Sequence, residues 1–242
     1  MCSIWLTCQN NGTSNYNITL NVCSCQCIET FYGPNCQYRT LNSTTFINST
    51  ILTQELGVSL MNLIGVPLNS VATKIYQASV HGFSASQFHS KVDGKLGTLS
   101  IIKSTNGNIF GGLTMLSWGL PSKGYNDPNA YLFSLINPKS FPLKLNQKIS
   151  NDPYSIIASP SYGPIFGSGH DLIISDNPNS NLNSYFTPGS SYLLPLNYTQ
   201  ATTSTNSFLA GTQYFQTFEV EVYTSNTFDK LIYSSCGKIN LI

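Results

Sequence analysis

Charge is scarce in this sequence. Of 242 residues only 9% are Asp, Glu, Lys or Arg, and 11 basic residues nearly cancel 10 acidic ones. An average globular chain carries roughly 25%. No basic patch large enough to displace many counterions can be assembled from so few cations, which excludes nucleic acid as a partner and a polybasic membrane-surface role. Thiols are equally scarce over most of the length: beyond residue 36 the one cysteine is Cys236. No stretch approaches the ~20 apolar residues that a transmembrane helix needs, so no spanning segment is expected in this sequence. What is present is core material, 41% hydrophobic and 12% aromatic. Disorder is thereby excluded for most of the chain, and Asn, Ser and Thr take over the solubilising work of charge.

The remaining six cysteines, Cys2, Cys8, Cys23, Cys25, Cys27 and Cys36, crowd into the first 36 residues. A segment this short cannot bury enough apolar surface to hold itself together, so covalent staples are expected. Zinc ligation wants separated pairs with gaps of two to four residues, and the single-residue steps between Cys23, Cys25 and Cys27 do not supply them. Six cysteines allow 15 pairings, among which spacing alone does not choose. The run Cys8-Gln-Asn-Asn-Gly-Thr, the Cys23-x-Cys25-x-Cys27 steps, and Phe31-Tyr32-Gly33-Pro34-Asn35 before Cys36 resemble an EGF-like module. That resemblance implies the pairs Cys2 with Cys23, Cys8 with Cys25, and Cys27 with Cys36, and an oxidising compartment. Asn11, Asn17, Asn42, Asn48 and Asn197 each open an Asn-x-Ser/Thr glycosylation triplet. Met1-Cys2-Ser3 does not open a signal peptide, so the chain is expected to be a piece of a longer secreted or cell-surface protein.

After an expected module at 1–37, residues 38–50 are polar and aperiodic and read as a linker. Thr53 opens a predicted helix with Glu55 in its first turn and Leu56, Leu60, Leu63 and Ile64 on one side; Gly65 and Pro67 close it. Ser84-Ala-Ser-Gln87 has the form of a capping box for a second helix. Short apolar runs then recur between Gly, Asn and Pro: 74–78, 99–104, 109–118, 130–136, 155–159, 171–175 and 215–224. They read as strands. Asn106-Gly107 predicts a tight type I′ hairpin turn, and Gly111-Gly112 a bulge or close backbone approach. In 215–223, Phe218, Val220 and Val222 alternate with Thr217, Glu219, Glu221 and Tyr223. The expected class is mainly β with α (α+β), a two-sheet antiparallel β-sandwich with flanking short helices behind a small disulfide-rich module.

The stretches IYQASVHGFSASQFHSKVDGKLGTLSIIKSTNGNIFGGLTMLSW, AYLFSLINP, FGSGHDLIIS and FLAGTQYFQTFEVEVY, in that order, resemble the blocks of a TLDc domain over residues 51–225. A C-terminal extension, 226–242, would follow. The resemblance implies the same two-sheet sandwich. It also implies a link to oxidative-stress resistance and, for intracellular members, to regulation of the vacuolar proton ATPase, a cytosolic setting unlike the compartment expected here.

Candidate chemistry is sparse. Ser84, Ser86 and Ser90 lie near His89 and Asp93, yet no Gly-x-Ser-x-Gly elbow is present, so they are expected to cap and solvate a helix. His81, His89 and His170 with Asp93, Asp171 and Asp176 are the conceivable metal ligands, and no metal or other cofactor is expected. Glu219 and Glu221 would share one strand face with side chains ~7 Å apart, close enough to perturb each other or to pair with a lysine. In TLDc domains acidic residues at matching positions have invited proposals of catalysis; on an exposed face they would be an acidic surface patch. The run from Asp176 to Asn183 offers oxygen ligands but reads as a turn-rich connector. The Gly163–Gly169 run lacks a P-loop lysine, and Cys236 is left over without an evident partner.

The expected function is a non-enzymatic interaction module with a protein partner of unknown identity. The alternatives are an enzyme using Glu219, Glu221 and His170, and a glycan-binding sandwich presenting Trp118, Tyr125 or Tyr162. Oligomeric state is not legible.

Overall fold

In this computed structural model, residues 45–228 are described apart from 47, 68–69, 150 and 196–197, together with the backbones of four strands nearer the N-terminus. The chain divides into residues 1–44 and 45–242. In the first unit β1 (Thr13–Asn17) pairs antiparallel with β2 (Val22–Gln26), and β3 (Phe31–Tyr32) with β4 (Tyr38–Arg39). The expected cysteine pairing lies outside the described residues, save for the backbones of Cys23 and Cys25 in β2. So do Cys236, residues 229–242, and every expected glycosylation side chain except that of Asn48, which is exposed.

The first helix of the second unit forms where local signals predict. Thr53 Oγ1 accepts from the Leu56 amide at 3.3 Å and starts α1 (Gln54–Ile64), and Gly65, at φ 74°, ends it in the left-handed region. Its Leu60, Met61 and Ile64 are buried. After β5 (Thr73–Gln77) and the single-turn α2 (Ala78–His81), Ser84 and Gln87 form the predicted capping box of α3 (Ala85–Val92). Among the described residues no helix is long and apolar enough to cross a membrane.

The first sheet adds β6 (Thr98–Ser104), β7 (Ile109–Thr114), β9 (Tyr131–Ile136), β10 (Leu143–Leu145) and β16 (Thr217–Thr224) in the antiparallel order β10-β9-β7-β6-β16-β5. The second holds β8 (Lys123–Tyr125), β11 (Ile156–Ala158), β12 (Ile165–Phe166), β13 (Leu172–Ile173), β14 (Ser184–Phe186) and β15 (Tyr214–Phe215), in the order β15-β14-β13-β12-β11-β8. A short α4 (Thr203–Asn206) precedes β15. Between the sheets lie Ile102, Phe110, Leu132, Phe166, Phe186, Phe215, Val220 and Val222. A second cluster packs Leu60, Met61 and Ile64 of α1 onto Leu99, Ile101, Phe133 and Tyr223. The first sheet is therefore covered on both faces, which accounts for β6 being buried at every residue but Lys103.

Three sequence expectations change here. The hairpin forms, with Lys103 opposite Ile109, but only Gly107 takes positive φ (83°), and Gly107 N donates to Ser104 O at 2.9 Å. A type I′ turn needs two residues at positive φ; this loop instead ends on a single left-handed glycine. Phe218 does not join Val220 and Val222: the register shifts between Thr217 and Glu219, and Phe218 emerges 61% exposed beneath the Lys103 ammonium. Finally, residues 45–50 are not linker. Thr45 and Phe46 are buried, and the Phe46 ring meets Tyr223 edge-on at 5.0 Å.

Candidate functional site

Alternation along β16 turns Val220 and Val222 into the sandwich and Glu219, Glu221 and Tyr223 to the opposite face, beneath the segment 45–52. The two carboxylates do share a face, but it is no surface patch: Glu219 is 3% exposed and Glu221 0%. Such burial is tolerable only when every lone pair is matched. Glu221 Oε1 accepts from the Thr50 amide at 2.8 Å, Thr50 Oγ1 at 3.1 Å and Lys74 Nζ at 3.0 Å. Its Oε2 accepts from Ser49 Oγ at 2.6 Å and Tyr223 Oη at 2.9 Å. Glu219 Oε1 accepts from the amides of Ser79 (3.0 Å) and Val220 (2.9 Å), and Oε2 from the Ser79 hydroxyl and from Gln77 Nε2 at 3.3 Å. Lys74 is saturated too, donating also to Asn48 O at 2.5 Å and Gln77 Oε1 at 2.6 Å.

The Lys74 ammonium thus pairs with Glu221 alone, and neutral donors supply the remaining bonds, including all of those to Glu219. Burial, with the Glu221 carboxylate alongside, pushes the Tyr223 hydroxyl well above the ordinary tyrosine range, so it stays a donor. Burial and the Glu219 charge do the same to Tyr76. The arrangement is a clasp that pins the N-terminal segment and the start of α2 to β16. Sequence reading missed Lys74, Ser49, Thr50, Gln77 and Ser79, whose separation from their partners along the chain left no local signal.

His170 is not part of this cluster. It stands at φ 53° before β13, hydrogen-bonded through Nδ1 to Tyr185 Oη at 2.8 Å, in an open groove on the second sheet with Tyr162, Asp176 and Asn181. The carboxylates face away from that sheet. Nor do the serines near His89 form a nucleophile with it: Ser90 Oγ donates to Gln87 O at 2.8 Å, and Ser84 caps α3. His89 instead meets Asp93 Oδ1 at 2.7 Å, while its Nε2 lies 3.0 Å from the carbonyls of both Ser159 and Tyr162. The four-residue spacing of His89 and Asp93 on a capped helix was the signal for this pair. The connector after β13 bonds to itself and to α3, with Asp176 Oδ1 accepting from Ala85 N at 2.6 Å and Asn181 Nδ2 donating to Asp176 O at 2.8 Å. Among the described residues no three His, Cys, Asp or Glu side chains gather as a metal site. Of the aromatic residues expected to stack on a glycan, Trp118 is buried, its indole N–H on Thr98 Oγ1 at 3.1 Å, and Tyr125 is half-buried; Tyr162 is exposed.

Asp171, read as a conceivable ligand, is fully buried where the loop 189–192 folds over it. It accepts from the amides of Gly189, Ser190, Ser191 and Tyr192, the last at 2.8 Å. Burial pushes its carboxyl up to about 6 even though those four N–H groups pull it down. Because the folded-state value lies above the ordinary one near 3.8, the native state holds this proton more tightly than the unfolded chain. The contribution is fully present below pH about 4 and is lost as pH rises through about 6, a change on the order of 2–3 kcal/mol. Urea unfolding midpoints between pH 4 and 7 should show this slope in the wild type and a flatter one in Asp171→Asn. Identical slopes would show that Asp171 does not titrate in this window.

Two antiparallel sheets, one helix packed on the outer face of the first, and a buried carboxylate clasp holding the N-terminal segment define a mainly-β sandwich domain. The TLDc domain family matches residues 45–226, and the chain belongs to that family. The match takes in the segment 45–50 that carries Ser49 and Thr50. No curated protein matches the chain.

Proposed function

We propose that the TLDc domain of this chain works as a non-enzymatic protein-interaction module of an extracellular or cell-surface protein, within a family linked to oxidative-stress resistance. One observation carries the reading: Glu219 and Glu221, the carboxylates best placed by sequence for acid–base work, are buried with all four oxygens engaged by donors. A general acid or base must reach a substrate proton within hydrogen-bond distance, and these carboxylates reach only their own clasp. The crowded N-terminal cysteines support the oxidising compartment.

The full chain, secreted from cultured cells and purified, is the test material. Its binding to intact cells is expected to saturate and to be abolished by prior protease treatment of the cell surface. Hydrogen peroxide added to the purified chain is expected to fall by no more than a stoichiometric amount. Non-saturable binding, multiple turnover lost in Glu219→Gln, or six reduced N-terminal cysteines on mass mapping would each overturn the corresponding part of the proposal.

A further inference from the structure

Tyr185 of β14 and Tyr214 of β15 stand directly opposite each other across the antiparallel pair at one end of the second sheet. Their neighbours Phe186 and Phe215 point into the sandwich core, so both tyrosines project from the outer face. The two ring centroids are 5.9 Å apart, with the ring planes at 61°. Tyr214 is 55% exposed and has room to turn, whereas Tyr185 is half-buried with its hydroxyl 2.8 Å from His170 Nδ1. Burial and the neighbouring phenols of Tyr214 and Tyr162 raise the Tyr185 hydroxyl above the ordinary tyrosine range, so it keeps its proton at neutral pH. A phenol that loses one electron becomes a strong acid, and the loss is easiest where a base already waits at the oxygen, which is where this imidazole stands. Between Cys36 and Cys236 the sequence has no cysteine, so no disulfide can join one strand of the two sheets to another.

We propose that Tyr185 and Tyr214 are a site for a dityrosine cross-link, formed when hydrogen peroxide and a haem peroxidase reach the domain, with His170 as the base at Tyr185. Each ring gives one electron to the peroxidase. The Tyr185 proton passes to His170 Nδ1, in the tautomer protonated at Nε2, and the Tyr214 proton passes to water. The two phenoxyl radicals couple through ring carbons beside their oxygens, and the hydrogens on those carbons then move to the oxygens and restore both phenols. The peroxide takes up the two electrons and two protons and leaves as two waters. The new bond fastens the edge strand β15 to β14 and closes the loop 185–214. The site is separate from the carboxylate clasp and stands whether or not the domain proves to be an interaction module.

The test treats the dilute full chain with hydrogen peroxide and a plant haem peroxidase, then digests it and maps the peptides by mass spectrometry. One linked pair, carrying Tyr185 and Tyr214 and lighter by two hydrogens than the separate peptides, is expected to dominate, with a yield independent of protein concentration. Exposure alone would instead favour Tyr154 and Tyr162, 47% and 39% exposed, and links between molecules. Tyr214→Phe should remove the link. His170→Asn, which tolerates the left-handed φ of 53° but offers no base, should slow its formation several-fold. Treatment should raise the melting temperature by at least about 5 °C, because the closed loop restricts the unfolded state, and should not raise it in Tyr214→Phe. If His170→Asn fails to fold, the wild-type map and the Tyr214 variant decide the matter. No link between Tyr185 and Tyr214, a yield that rises with protein concentration, an undiminished rate in folded His170→Asn, or an unchanged melting temperature in the linked protein would overturn the proposal.

Discussion

Glu221→Ala is expected to destabilise the domain by about 3–5 kcal/mol, the range for removing one partner of a buried, hydrogen-bonded charge pair. The truncation strips an acceptor from Ser49 Oγ, the Thr50 amide, Tyr223 Oη and the Lys74 ammonium at once. Unmatched buried donors dominate the cost, and the small cavity left by the side chain adds to it. Urea unfolding of the full chain at neutral pH measures the effect. Glu221→Gln keeps the volume and one acceptor, so its loss should be smaller, about 1–3 kcal/mol. In a double-mutant cycle Lys74→Met and Glu221→Gln should be coupled by more than about 0.5 kcal/mol, because they touch directly. Limited proteolysis gives a second readout: losing the clasp should expose 45–52 to cleavage before the rest of the domain unfolds. A loss below about 1 kcal/mol for the alanine variant would mean that the clasp does not hold the segment.

Gly111→Ala should cost more than about 3 kcal/mol, the upper end for overpacking a well-packed core. An ideal Cβ at residue 111 would stand 1.9 Å from the Ser100 carbonyl oxygen and 2.9 Å from the Phe133 ring. The oxygen is main chain in β6, paired to β7 from Thr98↔Thr114 to Lys103↔Ile109, so relief requires moving two central strands apart. That uninterrupted register also decides between the two readings of Gly111-Gly112: it is a close approach, and the β7 irregularity lies instead against β9, between Ile109 and Phe110. At a few degrees per kcal/mol the melting temperature should fall by roughly 6–12 °C or more. Gly107→Ala is the control. There a Cβ meets nothing within 4 Å and only the φ of 83° resists it, so about 1–2 kcal/mol is expected. Equal losses at the two positions would refute the steric account.

Local chemistry was read well because its partners are near in sequence. Thr53 and Gly65 bracket α1, and Ser84 with Gln87 caps α3, through contacts spanning only a few residues. The long strands of the first sheet, β6, β7, β9 and β16, carry enough side chains for apolar runs to stand out. Strands β8, β10, β12 and β14 are two or three residues long, too short for any period to show. The outward turn of Phe218 was illegible because a register shift, set by pairing with β6, reverses the parity that alternation presumes.

The residues by themselves determined the mainly-β class, both capped helices, the place of the hairpin and the sharing of one strand face by Glu219 and Glu221. Each of these follows from backbone preferences and side-chain periods within a few positions. Only the tertiary structure decided that this face is closed. Ser49 lies 172 positions from Glu221, and hydroxyl-rich residues that look like linker in isolation become the donors of a buried clasp once sheet pairing brings β5 and β16 together beneath them. Polarity in a sequence marks what a residue can bond to, and packing determines whether water or a buried charge does the bonding.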